Sequence, residues 1–206
     1  MSAAREAILA AVRTATAAGI APAPAAHTYR RDGARSRAER IALFSERVGD
    51  YRATVRRVAS SDLQQTIDEL APGRVGIPVG LPHEWRPAGA VEDHGLTPQE
   101  LDALDGVVTG CTLAIAETGT LVLSGGPSEG RRALTLVPDL HLCVVRATQV
   151  VETVPQAFDA LRESASRPLT FVSGPSATSD IELERVEGVH GPRQLVVVIV
   201  EEGSDD

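Results

Sequence analysis

The segment LTFVSGPSATSDIE (Leu169–Glu182) leads through HGPR (His190–Arg193) into LVVVIV (Leu195–Val200), and these three pieces carry most of the information in the chain. Near-continuous apolar runs are typical of strands that are buried on both faces of a parallel sheet. Each Gly-Pro pair indicates a turn between such runs. A turn does not need so many hydroxyl, carboxylate, imidazole and guanidinium groups, so their density indicates a functional loop carried by a rigid sheet.

Apolar runs alternate with helical patterns over the rest of the chain. Helices are predicted at Leu63–Leu70, after the capping sequence Thr97-Pro98-Gln99-Glu100, and near Pro155–Ser164. The alternation of strands and helices predicts an α/β fold with a mostly parallel sheet. The two strands around AETGT (Ala116–Thr120) are separated by so few residues that they predict a hairpin.

The first 60 residues differ from the rest. Residues 3–17 predict an Ala-rich helix, and Gly19–Gly33 reads as a Pro/Ala linker. Ser36 and Glu39 form a capping-box pattern that predicts the start of a second helix. Apolar residues then recur at helical spacing over about six predicted turns, at Ile41, Phe44, Val48, Tyr51, Val55 and Val58. This apolar seam packs either on its own domain or on another subunit.

Charge follows the same division, which we place at residue 60. Residues 1–60 form a helical extension with 11 arginines against 5 acidic residues, and residues 61–206 form an α/β domain with 9 against 23. A basic arm beside an acidic body favours docking on that body, on a second copy or on an acidic partner. The lack of aromatic residues interleaved with the arginines argues against nucleic acid as the partner.

The sequence lacks the residues that several kinds of chemistry require. All 20 basic residues are arginine, which excludes lysine Schiff bases and a Walker-type phosphate lysine. Cys111 and Cys143 form no CxxC pair, and no GxGxxG is present, so we expect no metal, iron–sulfur, flavin or nicotinamide site within the chain. Without an 18-residue apolar run or a charged-then-apolar leader, a soluble cytoplasmic protein is the expectation.

The motifs SGPSATSDIE and GVHGPR, with AETGT and VPDLHLCVV (Val137–Val145), resemble the LUD-domain family of the lactate-utilisation protein C type. The resemblance runs in order from about Val107 to Val200, and it departs at Ala177, where many relatives would have a basic residue. It implies a Rossmann-like layered fold similar to the NagB/RpiA/CoA-transferase group.

The polar motifs flank predicted strands, and ligands of open α/β sheets bind outside the strands' carboxyl ends. We therefore expect one polar cleft there, in which Arg193 clamps an anion. The candidate catalytic residues are Glu117, Asp180 and His190. The candidate ligand-binding residues are Thr118, Gly119, Thr120, Ser173, Gly174, Ser176, Thr178, Glu182 and Arg193.

Each candidate also has a structural interpretation. Asp180 is as well suited to cap a turn as to act in catalysis. Glu117 is suited to pair with an arginine, and His190 to be a polar residue whose hydrogen bonds are made within the protein. His141, within an apolar strand, is a weaker candidate for function.

Two functions remain open. The resemblance implies a non-redox subunit that binds a small anion and works with iron–sulfur and cysteine-rich proteins in the oxidation of L-lactate to pyruvate. The alternative is a stand-alone enzyme, similar to that fold group, acting on a phosphorylated, nucleotide or CoA ligand. In that case Glu117 would be a candidate nucleophile toward a thioester.

Overall fold

A computed structural model describes residues 3–17, 28–29, 31–164, 166–178, 186–187 and 190–201. Its α-helices are α1 (Ala3–Thr16), α2 (Arg37–Asp50), α3 (Leu63–Leu70), α4 (Pro98–Asp102) and α5 (Val154–Ala160). Its strands are β1 (Thr54–Ala59), β2 (Val75–Ile77), β3 (Val91–Glu92), β4 (Gly106–Thr109), β5 (Leu113–Ile115), β6 (Thr120–Leu123), β7 (Leu140–Arg146), β8 (Val150–Val151), β9 (Thr170–Val172), β10 (Ala177–Thr178), β11 (Val186–Glu187) and β12 (Gln194–Glu201). Short 3-10 turns lie at Ser60–Asp62, His83–Trp85, Ala147–Gln149 and Leu161–Ser164.

The main sheet has six strands in the order β1-β12-β7-β4-β2-β3, and every neighbouring pair is parallel. The predicted α/β fold with a mostly parallel sheet is confirmed. The apolar run Leu195–Val200 forms β12, which pairs with β1 on one side and with β7 on the other. Both central strands are buried along nearly their whole length, as the apolar runs predicted.

A second sheet of four strands has the order β8-β5-β6-β9. Strands β5 and β6 are antiparallel and enclose the AETGT turn, so the predicted hairpin is confirmed. β9 pairs antiparallel with β6, which brings the end of β9 beside the turn of that hairpin. A further short antiparallel pair joins β10 to β11.

The side chains of β7 and β12 alternate between two cores. Leu142 and Val198 face the core that includes Ile67 of α3. Cys143 and Val197 face the core that includes Phe44 of α2 and residues of the second sheet. This alternation follows from the two-residue repeat of a strand, so one pair of strands organises both layers.

Helix α2 starts at the predicted capping box and buries Ile41, Phe44 and Val48 in the core between the two sheets. The interpretation that its seam packs on its own domain is therefore confirmed. Residues 37–59, which we placed in the extension, are part of the core and of the main sheet. Helix α1, by contrast, has no buried residue.

The prediction of a six-turn helix was wrong. The helix ends at Asp50, and Arg52 adopts a φ of 65° that breaks the helical path. The residues that follow pair with β12 as strand β1. Val55 and Val58, three residues apart, consequently point to opposite faces and join different cores. The conformation of this segment depends on its pairing with the distant strand β12, which the local sequence pattern does not encode.

In the parts of the chain that the structure describes, no helix is long and apolar enough to cross a membrane.

Replacing Phe44 tests the contribution of α2 to the core. The Phe44 side chain is fully buried, so Phe44→Ala is expected to lower the free energy of unfolding by about 3–5 kcal/mol through lost burial and the cavity left behind. Urea denaturation followed by circular dichroism measures this change. The control is Ile8→Ala on α1, where Ile8 is 64% exposed and a change within about 0.5 kcal/mol is expected. Equal effects of the two substitutions would contradict the packing of α2.

Candidate functional site

Two neighbouring cavities border the second sheet. The smaller, of about 230 Å³, is lined by residues 171–176, residues 190–192, Arg132, Thr135, His141 and Leu195. We call it the small pocket. The larger, of about 850 Å³, is called the large cleft. Arg132 and Thr135 line both of them, so the two cavities meet at these residues.

The small pocket brings together four of the predicted site residues, namely Ser173, Gly174, Ser176 and His190. Its position differs from the prediction. Ser173 follows the carboxyl end of β9 in the second sheet, whereas His190 precedes the amino end of β12 in the main sheet. The expected cleft at the carboxyl ends of the strands is therefore not where these residues meet. They meet because the 171–176 and 190–192 segments are hydrogen-bonded to each other.

Two hydrogen bonds hold these segments together. The Ser176 backbone N–H donates to the Pro192 carbonyl at 2.8 Å, and the His190 backbone N–H donates to Ser176 Oγ at 3.1 Å. On the other side, Ser173 Oγ lies 2.8 Å from Thr120 Oγ1, which lies 2.7 Å from Thr118 Oγ1. Three predicted hydroxyls thus form one chain that leads from the hairpin turn into the small pocket.

His141 lies at the back of the small pocket and is only 2% exposed. Its Nε2 lies 2.8 Å from Thr109 Oγ1, and that hydroxyl also donates to the Gly110 carbonyl at 2.9 Å. Since the hydroxyl has a single proton, the imidazole Nε2–H is the donor to Thr109. Nδ1 is then an unprotonated acceptor, and among the described residues it has no hydrogen-bond partner.

Burial, and then the positive charge of Arg132, lower the pKa of His141 to about 4 from its ordinary 6.5. A neutral imidazole at physiological pH keeps the Nδ1 lone pair available as an acceptor. His141, the weaker candidate in the sequence analysis, is thus buried at the small pocket, whereas His190 is exposed.

Arg132 is the residue that sequence reasoning missed. Its Nη1 donates to Thr135 Oγ1 at 2.8 Å and to the Thr135 carbonyl at 3.2 Å. Within the described ranges, Nε and Nη2 have no hydrogen-bond acceptor, and no carboxylate forms an ion pair with this side chain. Desolvation lowers the pKa of its guanidinium, which still remains charged. A signal was present in the run SGGPSEGRR (Ser124–Arg132), where paired arginines follow a Gly-rich turn after a strand.

Arg193, the predicted clamp, does not line either cavity. Its Nε donates to Asp139 Oδ1 at 2.6 Å, and this hydrogen bond lowers the pKa of Asp139. Glu117 also lines neither cavity, and its backbone N–H donates to the Glu152 carbonyl at 3.1 Å. Asp180 and Glu182 lie outside the described residues, and of Thr178 the structure describes only the backbone in β10.

Gly119 and Gly174, two of the candidate ligand-binding residues, are each required by close packing against α2. Both adopt positive φ, 59° and 82°, which favours glycine. A Cβ at Gly119 would lie 2.7 Å from the Arg47 carbonyl carbon, and one at Gly174 would lie 2.5 Å from Tyr51 Cβ. The end of α2 approaches both turns, so these glycines allow the helix to pack closely against the site.

The large cleft lies where the rule for open sheets places ligands, outside the carboxyl ends of β2, β3 and β6. Its loop, Ser124–Arg132, is shaped by the buried Glu129 carboxylate. Glu129 Oε2 accepts from the backbone N–H of Ser124 at 2.6 Å and of Gly126 at 3.0 Å, while Oε1 accepts from Thr112 Oγ1 at 2.5 Å. These bonds tie the loop to the sheet and fix the position of Arg132.

Cys111 and Cys143 are both buried. A hydrogen bond with Cys143, together with burial, raises the pKa of the Cys111 thiol well above its ordinary value. A protonated, buried thiol is a poor nucleophile, so the structural interpretation of Cys111 is favoured. Among the described residues, no group of three His, Cys, Asp or Glu side chains could hold a metal ion.

The architecture defines a layered α/β protein, and comparisons with known proteins specify it further. The LUD domain family model matches residues 85–200. Lactate utilization protein C of Deinococcus radiodurans is 46% identical over 172 residues, covering 80% of this chain and 81% of that protein. Lactate utilization protein C of Bacillus subtilis is 31% identical over 99 residues, covering 45% and 41%.

A crystal structure of a DUF162 family protein from Deinococcus radiodurans superposes with a TM-score of 0.71 at 41% identity, covering 81% of this chain and 99% of that one. This chain therefore belongs to the LUD-domain family, in its lactate utilization protein C branch. The similarity to the wider NagB/RpiA/CoA-transferase group stays a prediction.

The buried His141 predicts a specific dependence of stability on pH. Its pKa of about 4 lies below the ordinary 6.5, so the unfolded chain binds more protons between these values, and stability falls as the pH falls through this window. His141→Gln, which keeps a donor for Thr109, is expected to reduce the loss between pH 7.0 and 4.5 by about 2 kcal/mol. Urea denaturation at pH 7.0, 5.5 and 4.5 measures the difference. The control is His83→Gln at an exposed position, which should leave the wild-type slope unchanged.

Proposed function

We propose that this chain acts in lactate utilisation as a non-redox subunit and that the small pocket binds a small carboxylate such as lactate or pyruvate. The iron–sulfur and cysteine-rich proteins that carry the electrons are its proposed partners. The family membership and the names of the relatives support the role in lactate utilisation. The chain's two cysteines are both buried and lack the spacing of cluster ligands, which supports assigning electron transfer to partners.

The observation that carries the proposal is Arg132 at the opening between the small pocket and the large cleft. Its Nε and Nη2 donors lack acceptors among the described residues, and a guanidinium binds a carboxylate through two parallel hydrogen bonds. A carboxylate placed there would complete the arginine's hydrogen bonding. The pocket's 230 Å³ suits a molecule of a few heavy atoms.

His141 adds the second element that a 2-hydroxy acid needs. In such an acid, the carboxylate and the hydroxyl are on adjacent carbon atoms, so recognition requires a cation beside a hydrogen-bond acceptor. Arg132 is close enough to His141 to lower the pKa of its imidazole, and His141 Nδ1 is an acceptor without a partner in the described chain. In this assignment the substrate hydroxyl donates to Nδ1. The hydroxyls of Ser173 and Ser176 supply further polar contacts around the same pocket.

Removing Arg132 tests the binding part of the proposal. Isothermal titration calorimetry should detect L-lactate or pyruvate binding to the wild-type protein, and Arg132→Gln should weaken it at least about tenfold, because a charged hydrogen bond contributes about 1.5–3 kcal/mol. His141→Phe removes the acceptor and should weaken L-lactate more than pyruvate, which has no hydroxyl to donate. Propionate, which lacks both the hydroxyl and the oxo group, is the ligand control.

The matched protein control is Arg56→Gln on the exposed edge strand β1, which should bind as the wild type does. If Arg132→Gln and Arg56→Gln bind L-lactate with the same affinity, the small pocket is not the site. If the wild-type protein binds neither acid, the binding part of the proposal is wrong.

The partner part has its own test. Affinity purification of the tagged chain from its native cells grown on L-lactate should recover iron–sulfur and cysteine-rich proteins in stoichiometric amounts, with iron in the eluate. The control bait is the same protein with Phe44→Ala, whose core is damaged and which should recover less of them. Recovery of the tagged chain alone, or of itself in multiple copies, would contradict the proposed complex.

A further inference from the structure

The large cleft contains more positive charge than its own residues neutralise. Arg131 is paired, since its Nε and Nη2 donate to the two oxygens of Asp93 at 2.7 and 3.0 Å. Arg132 and Arg167 line the same cleft, and in the described part of the chain no carboxylate pairs with either of them. The remaining carboxylate, Glu129, is buried and already accepts three hydrogen bonds from the loop and from Thr112.

Gly125 and Gly126 line the large cleft, and of these two residues Gly125 is exposed. Gly125 has a φ of 67°, and a Cβ placed on it would meet nothing nearer than the Gly130 carbonyl at 3.8 Å. At Gly126 the nearest atom to such a Cβ would be the Glu129 carboxyl carbon at 3.6 Å. Unlike Gly119 and Gly174, these glycines are not required by close packing against a neighbouring segment. Gly125 leaves room for a ligand beside the main chain, whereas Gly126 is buried beside the Glu129 carboxylate.

The shape of the cleft indicates the kind of ligand. Its volume of about 850 Å³ is several times that of the small pocket, and its walls include Val79, Leu123 and Pro168. Such a cavity suits an elongated molecule that has an apolar or flat body and a concentrated negative charge at one end. A phosphoryl group carries about two negative charges on one centre, which matches two guanidinium groups that have no carboxylate partner among the described residues.

We propose that the large cleft is a second binding site, distinct from the small pocket, that takes a phosphate ester with an extended body. Arg167 and Arg132 bind the phosphoryl group, and the walls at Val79, Leu123 and Pro168 contact the body of the ligand. This site goes beyond the lactate role and does not depend on it, because Arg167 lines only the large cleft.

Arg132 connects the two sites. Its free donors serve either a carboxylate in the small pocket or a phosphoryl group in the large cleft, and two anions beside one guanidinium repel each other. Binding at one site therefore weakens binding at the other, and thermodynamic linkage requires the two effects to be equal.

The test uses isothermal titration calorimetry of the full chain with ADP, inorganic phosphate and adenosine. ADP should bind, inorganic phosphate should bind at least about tenfold more weakly, and adenosine should give no measurable heat, because the phosphoryl group and the body each contribute. Equal affinities of ADP and inorganic phosphate would restrict the site to an anion alone and overturn the proposed ester. Absence of binding by all three would overturn the site.

Variants separate this proposal from the lactate site. Arg167→Gln should weaken ADP at least about tenfold and leave L-lactate binding unchanged, whereas Arg132→Gln should weaken both. The matched control is Arg162→Gln, five residues earlier on an exposed turn, which should change neither. Unchanged ADP affinity in Arg167→Gln would overturn the site even if L-lactate binds as proposed. ADP binding that survives without any L-lactate binding would instead refute only the lactate site.

Discussion

The parallel pairing of β7 with β12 is the constraint on which the rest of the structure depends. It joins seven residue pairs from Gln194 opposite Leu140 to Val200 opposite Arg146. Because both faces of this pair are covered, the apolar side chains along it belong to one of two cores, and a shift by one residue would exchange them. The same register places His141 at the amino end of β7, directly beside the loop that precedes β12.

Helix α2 connects the core around this strand pair to the turns beside the small pocket. Phe44 and Val48 anchor it in the core, and its C-terminal end packs on the turns that contain Gly119 and Gly174. Those turns hold Thr120 and Ser173 within hydrogen-bonding distance of each other. A segment in the first 60 residues is therefore part of the support for the site, although none of its side chains lines either cavity.

The two cavities differ in the polar groups that line them. The small pocket combines the neutral, buried imidazole of His141 with serine hydroxyls, while the large cleft combines three arginines, of which Arg131 is paired with Asp93, with a Gly-rich loop. The buried Glu129 carboxylate holds that loop in place through main-chain N–H groups. Arg132 follows the loop and reaches both cavities, so the geometry of one short segment sets the charge of both.

The local features could be predicted from short-range spacing alone, namely the capping boxes at Ser36 and Thr97, the buried apolar strands and the hairpin at AETGT. The sequence also placed Ser173, Ser176 and His190 in one set. The assignment of Val55 and Val58 to an edge strand depends on long-range pairing with β12, which lies far along the chain and is not encoded in local spacing. The tertiary structure also decided that Asp139 engages Arg193 and that Arg132 faces both cavities, because partner choice depends on which distant loops the strand order brings together.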